Sequence, residues 1–399
     1  MLAVADQAAA GRLRPRCELG DIFREHGEAY RRNHSLPVSH LKVMRAVERC
    51  RTASLGGHMQ QCDACGFERP AYNSCRNRHC PKCQSMAKAR WLEKQKSELL
   101  PVGYFHLVFT LPHELNRLIL ANKRALLNLL FKAVSETLTD FSRTHLRGTP
   151  GFTAVLHTWD QTLLDHFHLH CLFPAGALSF DQNRWIPARK NFLFHVKGLS
   201  LVFRGKFLDF LKKAFDQKKL IFPGQTAPLA DAATFKLLIK ALRQKPWVVY
   251  SKEPFASPDY VLDYLGRYTH RVALSNDRIC SVHNGEITFS YRDRQDQNQL
   301  KFMKLKAEEF IRRFLLHVLP RGLMRIRHFG LLANRSKALL SKCRQLLGLH
   351  PALPKLPKRS PHELMLALTG IDLTRCPLCQ RGTMIFLAKL PTFAPWDSS

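Results

Sequence analysis

Polar and apolar positions change period repeatedly along this chain of 399 residues, and the changes mark out strands and helices. Residues 20–50 carry a helical pattern that breaks at Pro37. A charged helix is expected over 86–100. Residues 104–111 form an apolar run stopped by Pro112, which predicts a buried strand. Residues 113–145 read as helical, with Leu126, Leu127, Leu130, Val134 and Leu138 along the run. A turn at 148–151 leads to a strand over 152–159, and another strand follows at His166 and ends at Pro174-Ala175-Gly176. Farther on come a basic amphipathic helix (199–216), a short strand (246–250) and a helix over 258–270 opened by Ser257-Pro258. A hairpin over 279–291 has Asn284-Gly285 at its tip, and basic helices cover 306–319 and 334–347. A proline-rich linker occupies 350–361. There is no steady strand–helix alternation and no internal repeat. The fold class expected is α+β, a central antiparallel sheet backed by helices.

One strand carries chemistry in its pattern. In His166-Phe167-His168-Leu169-His170 the imidazoles fall at period two, so they share a face, with Phe167 and Leu169 on the other. A row of imidazoles on a rigid strand can hold a divalent ion with open positions.

Charge narrows the partner. Lys and Arg number 62 against 31 Asp and Glu, a net charge of +31. Such an excess suits a polyanion, nucleic acid first of all, better than a small-molecule substrate. No apolar stretch reaches the length of a membrane span, and the first residues lack a secretory apolar core. The expectation is a cytoplasmic, nucleoid-associated protein with no membrane partner.

The twelve cysteines are clumped. Cys62-Asp63-Ala64-Cys65 and Cys80-Pro81-Lys82-Cys83 are two pairs, each able to grip an ion across a tight turn, and together they predict a closed structural Zn²⁺ site. Cys75, His79, His58 and Cys50 are spare ligands, enough for a second ion. Arg76 and Arg78 lie among the basic residues around the cluster and are candidate DNA contacts. A later pair, Cys376 and Cys379, has no second pair after it and could borrow His362 or bind nothing.

Tyr260, Tyr264 and Tyr268 recur every four residues on the helix expected over 258–270, with Arg267 and Arg271 beside them. A phenol is a poor nucleophile at its ordinary pKa near 10, but a neighbouring cation would stabilise its phenolate.

These motifs, in this order, resemble the two-tyrosine HUH rolling-circle transposases of the insertion-sequence ninety-one family. His168-Leu169-His170 matches the His-hydrophobe-His motif. Tyr264 and Tyr268, within Tyr-Leu-Gly-Arg-Tyr-Thr-His-Arg, match the paired tyrosines. The segment from Gly56 to Gln84 matches the family's zinc-binding domain, and 328–335 also fits. Asp160 departs from an expected glycine, and Asp165-His166-Phe167 from the usual His-Pro pattern.

The resemblance implies an HUH endonuclease-like sheet of about five antiparallel strands, with the histidines central and the tyrosines on a helix across it. It implies Mg²⁺ or Mn²⁺ on His168, His170 and a third ligand, His166 by preference, with Gln161 or His157 as alternatives. Tyr264 and Tyr268 would be the catalytic nucleophiles on single-stranded transposon ends and target DNA, forming a 5′-phosphotyrosine link, with Arg267 and Arg271 neutralising phosphate. The domains expected are a helical and zinc-binding module (1–100), the nuclease domain (101–305), a basic helical region (306–349) and a tail with a Cys pair (350–399). Competing readings are a non-enzymatic zinc-dependent nucleic-acid-binding protein and a plasmid or phage replication initiator or relaxase.

Overall fold

The computed structural model describes residues 17–255, 260–261, 266, 273–293, 296–354 and 359–393. Helices α1 (Leu19–Asn33) and α2 (Val38–Glu48) pair around Pro37. Strands β1 (Gly57–Cys62) and β2 (Glu68–Tyr72) precede α3 (Pro81–Glu98) and β3 (Tyr104–Thr110). Helices α4 (Asn116–Ala121) and α5 (Lys123–Phe141) lead to β4 (Gly148–Thr149), β5 (Gly151–Trp159), β6 (Asp165–Pro174), β7 (Gly176–Ser179) and β8 (Trp185–Pro187). Next come α6 (Val196–Asp216), α7 (Ala232–Gln244), β9 (Val249–Phe255), β10 (Ile279–His283), β11 (Glu286–Asp293) and β12 (Gln299–Lys306). The order closes with α8 (Ala307–Leu316), β13 (Ile326–Gly330), α9 (Lys337–Leu346), α10 (Pro361–Thr369) and β14 (Met384–Leu390).

The α+β expectation holds. The central sheet has five strands in the order β13-β5-β6-β3-β9, and every neighbouring pair is antiparallel. The histidine strand β6 is the middle one. Its apolar face joins those of β3 and β5: Phe167, Leu169 and Cys171 meet Leu107, Phe109, Ala154 and Leu156 in one core with α5 and α6. That burial forces His166, His168 and His170 to the opposite face, because strand side chains alternate.

Two sheet edges escaped the sequence pattern. The edge strand β9 runs over 249–255 rather than 246–250, because Pro246 lacks an N–H and polar Lys252 and Glu253 hide a strand that only one neighbour covers. The other edge, β13, pairs Arg327 with Ala154 and His328 with Thr153. Gly330 closes it at φ +57°, where an added Cβ would stand 1.9 Å from the Pro150 carbonyl oxygen.

A second core joins α1 and α2 to the antiparallel meander β10-β11-β12 and to α8, through Phe23, Met44, Phe289, Phe310 and Phe314. The tip of the β10–β11 hairpin is Asn284-Gly285, with φ +49° and +72°, as the sequence predicts. In the tail, β14 returns to pair with β1, making a three-stranded sheet β14-β1-β2. Among the described residues no helix is long and apolar enough to cross a membrane.

The β5–β6 hairpin is tied from behind by a buried histidine. His317 Nε2–H donates to the Leu163 carbonyl at 3.0 Å, and Thr158 Oγ1–H donates to its Nδ1 at 3.2 Å. Asp160 Oδ1 accepts the N–H groups of Thr162 and Leu164 at 2.8 Å each, so this departure from glycine builds its own turn. Burial lowers the His317 pKa from 6.5 to about 4. A depressed folded-state pKa means the unfolded chain binds the proton better, so stability is lost as pH falls from about 6.5 toward 4. Wild type is expected to lose on the order of 3 kcal/mol over that window from this group alone. His317→Asn should flatten that part of the curve in pH-dependent urea melts.

Candidate functional site

Cross-strand register assembles the histidine site. His157 of β5 stands opposite His168 of β6, and Val155 opposite His170. One ring nitrogen from each of His157, His168 and His170 lies within 4.8 Å of the others, and all three side chains are buried. His168 Nε2 and His170 Nε2 are 3.1 Å apart. Neighbouring positions around an octahedral ion with bonds of ~2.1 Å stand about 3.0 Å apart, so the spacing suits one shared cation.

The outer nitrogens are held. His168 Nδ1–H donates to the His166 carbonyl oxygen at 2.9 Å, which leaves Nε2 with its lone pair. His170 presents Nδ1–H to His106 Nε2 at 2.9 Å, from β3. Burial, reinforced by the charge of Lys252, lowers the His106 pKa to about 3 and keeps that ring a neutral acceptor. The donor set is thus three converging imidazoles, two of them held by their outer nitrogens in the metal-binding tautomer, and it fits a divalent ion.

The third imidazole that converges is His157, not the preferred His166. His166 lies two positions toward the start of β6, at the mouth of the site, its ring 4.6 Å from that of His168 and 5.9 Å from that of His113. The reason is the register: His157 is a direct cross-strand neighbour of His168. His106 was not singled out from the sequence. Its signal was its period-two placement in Tyr-Phe-His-Leu-Val-Phe, on the face away from Phe105 and Leu107.

The histidines open into a cleft of about 700 Å³ floored by β3 and β9, with His113, Lys245, Trp247, Tyr250 and Lys252 along it. On the other side of the histidines, the same sheet face carries Tyr104 and Leu172. Leu172 is the next residue on that face of β6 after His170, about 6.8 Å along the strand. Val261 is buried against Tyr104 and Leu172, with Trp91 and Leu92 of α3 beside them. Gly266 faces α3, where an added Cβ would lie 3.1 Å from both Leu92 Cδ1 and Lys88 Cε. Tyr260, Val261 and Gly266 are helical. Tyr264, Tyr268, Arg267 and Arg271 lie outside the described residues.

The cysteines form two groups, and neither is the set expected. Cys50, Cys75, Cys80 and Cys83 make one; Cys62, Cys65, Cys376 and Cys379 make the other. The two Cys-x-x-Cys pairs of the N-terminal module therefore do not share an ion. Cys80 and Cys83 start α3 and meet Cys50 from the end of α2, whereas Cys62 and Cys65 point to the returning tail. The expected spare ligands Cys50 and Cys75 belong to the first group, and His79 to neither. In that group the sulfur separations are 3.5 to 3.7 Å. A tetrahedral ion with Zn–S bonds of ~2.3 Å has edges of about 3.8 Å.

Arg78 and Arg76 differ. The Arg78 guanidinium donates to the carbonyls of Leu319, Pro320 and Leu323 at 2.7 to 3.1 Å, clasping the module to the chain after α8. Three of its hydrogen bonds thus go to backbone, while Arg76 is exposed.

Comparison with known proteins places the chain among transposases. Residues 151–339 match the family described as "Putative transposase", and residues 22–111 match the family described as "Transposase zinc-binding domain". A "Putative transposase y4qJ" from Sinorhizobium fredii is 48% identical over 96% of this chain and 98% of that protein. The "Transposase for insertion sequence element IS801" from Pseudomonas savastanoi pv. phaseolicola is 29% identical over 86% of this chain and 82% of that protein. No solved structure matches. The chain belongs to the insertion-sequence ninety-one family of transposases, whose partner is DNA.

Proposed function

We propose that this transposase cuts and rejoins single-stranded DNA with a tyrosine nucleophile, Tyr264 or Tyr268, acting opposite His157, His168 and His170. The observation that carries the reading is that Val261 packs on the same sheet face as the histidine triad, one strand position beyond His170. Val261 and Gly266 bracket Tyr264 in the chain, and both are held against α3 or the sheet. Tyr260 is exposed and is not assigned a role.

Phosphoryl transfer needs positioning and charge neutralisation more than acid–base power. When bound by the three imidazoles, a divalent ion supplies that neutralisation at the phosphate oxygens, and the nitrogen donor set favours Mn²⁺ over oxygen-seeking Mg²⁺. The tyrosine oxygen bonds to phosphorus as the phosphorus–3′-oxygen bond breaks. The phenol gives up its proton, the departing strand ends as a 3′-hydroxyl, and the other strand stays on the enzyme as a 5′-phosphotyrosine. Attack by a 3′-hydroxyl reverses the step and joins strands, so the ester bond is conserved. Lys245, Lys252 and Tyr250 along the cleft suit the backbone and an unpaired base of one strand.

The test uses the full chain, Mn²⁺ and labelled single-stranded oligonucleotides carrying the element's ends. A covalent adduct that survives denaturing electrophoresis is expected, and a doubly substituted Tyr264→Phe, Tyr268→Phe protein should form none while still retarding the same DNA. Adduct formation undiminished in that double variant would overturn the assignment.

A further inference from the structure

We propose that Cys62, Cys65, Cys376 and Cys379 form a second zinc site, completed only when the C-terminal part of the chain returns to the N-terminal module. The matched zinc-binding region ends at residue 111 and contains all four cysteines of the other cluster but only half of this one.

The sulfur geometry is that of a closed ion site. Cys62 Sγ and Cys379 Sγ are 3.7 Å apart, and Cys65 Sγ and Cys376 Sγ 3.8 Å. These are the ~3.8 Å edges of a tetrahedron with Zn–S bonds of ~2.3 Å. They are far longer than the ~2.05 Å of a disulfide. The two pairs also sit in matching turns. Gly66 N–H donates to the Cys62 carbonyl at 3.0 Å, and Gln380 N–H to the Cys376 carbonyl at 3.1 Å. The donor residue is left-handed in both, at φ +71° for Gly66 and +59° for Gln380. Gly382 adds an N–H toward Cys379 Sγ at 3.4 Å, and a Cβ there would lie 2.4 Å from Cys62 Sγ. The backbone is shaped around the sulfurs on both sides.

Packing alone does not account for the return of the tail. The buried apolar cluster at this place is Cys62, Cys376 and Met384, with Phe67 and Cys379 partly covered. On β14, Ile385, Phe386 and Leu387 remain exposed. So small a core needs a metal or a cross-link to hold its fold. The polar contacts there position rather than drive: Thr383 N–H donates to Asp63 Oδ1 at 2.8 Å, and Arg69 Nη2 to the Leu373 carbonyl at 2.7 Å. The ion thus staples residues 311 or more positions apart in the chain. Earlier in the returning segment, Arg359, just before α10, pairs with Glu93 of α3 at 2.6 Å.

The experiment measures zinc and thiol reactivity on the full chain. Native mass spectrometry of the zinc-loaded protein should give at least the two cysteine-bound ions per chain, and about one ion fewer in Cys376→Ser, Cys379→Ser, the histidine triad contributing equally to both counts. With N-ethylmaleimide, exposed Cys280 should react at once, whereas Cys65, also exposed, should be protected until a chelator is added. The alkylation arm needs no variant and so does not depend on the variant's folding. A single ion in the wild type, or Cys65 reacting as fast as Cys280 in zinc-loaded protein, would overturn the proposal.

Discussion

Replacing His168 or His170 with Ala is expected to abolish strand cleavage while leaving the protein folded. The two imidazoles supply adjacent donors 3.1 Å apart, so losing either leaves too few nitrogens for a divalent ion. Charge stabilisation by a metal at a transferring phosphate is worth several kcal/mol, which is roughly 10²–10⁴ in rate. His157→Ala should behave alike, because it closes the triad from β5. His106→Ala tests the outer contact. It touches His170 Nδ1 rather than the ion, so it should weaken Mn²⁺ binding about 10- to 100-fold and be rescued by added Mn²⁺. Calorimetric titration with Mn²⁺, run beside single-turnover cleavage, separates the two classes. Wild-type cleavage in His168→Ala would remove the metal from the account; equal loss in His106→Ala with no Mn²⁺ rescue would demote that residue to a packing role.

Cys80→Ser should have the largest effect on stability. Cys80 and Cys50 are buried in the core that joins α1 and α2 to α8 and the β10–β12 meander, so this cluster ties two parts of the chain together. Structural zinc sites contribute folding free energy directly, and breaking one leaves buried thiols without their cation. A drop in Tm of roughly 10 °C is expected, with loss of one zinc ion and retention of the other. The serine variant should also lose DNA retardation at moderate salt if the module docks DNA, Arg76 being exposed beside it. Differential scanning fluorimetry with metal analysis checks this; an unchanged Tm together with an unchanged zinc content would contradict a structural role for the cluster.

How far the sequence could be read follows from how far each signal travels along the chain. The histidine strand was legible because alternation with Phe167 and Leu169 is local and decides the face without knowledge of the partners. The antiparallel sheet followed from the mix of strands and helices, its five strands and the central position of β6 from the resemblance, and the sheet bears both out. The third imidazole was not decided, because His157 meets His168 only through cross-strand register. His106 was missed for the same reason. The cysteine pairs were visible as pairs, but pairing them by nearness in sequence put Cys62 with Cys80. The actual partner of Cys62 lies 317 residues away, and nothing local announces it. Strand β13 was hidden because it is a short edge strand with polar Arg327 and His328, covered on one side only.

The central claim is that a tyrosine of the Tyr264–Tyr268 pair reaches the phosphate held before the histidine triad. The most direct measurement is peptide mapping of the trapped protein–DNA adduct by tandem mass spectrometry after nuclease trimming. The account predicts a nucleotide 5′-phosphate on Tyr264 or Tyr268. A nucleotide found on Tyr260 or on a tyrosine elsewhere in the chain would contradict it.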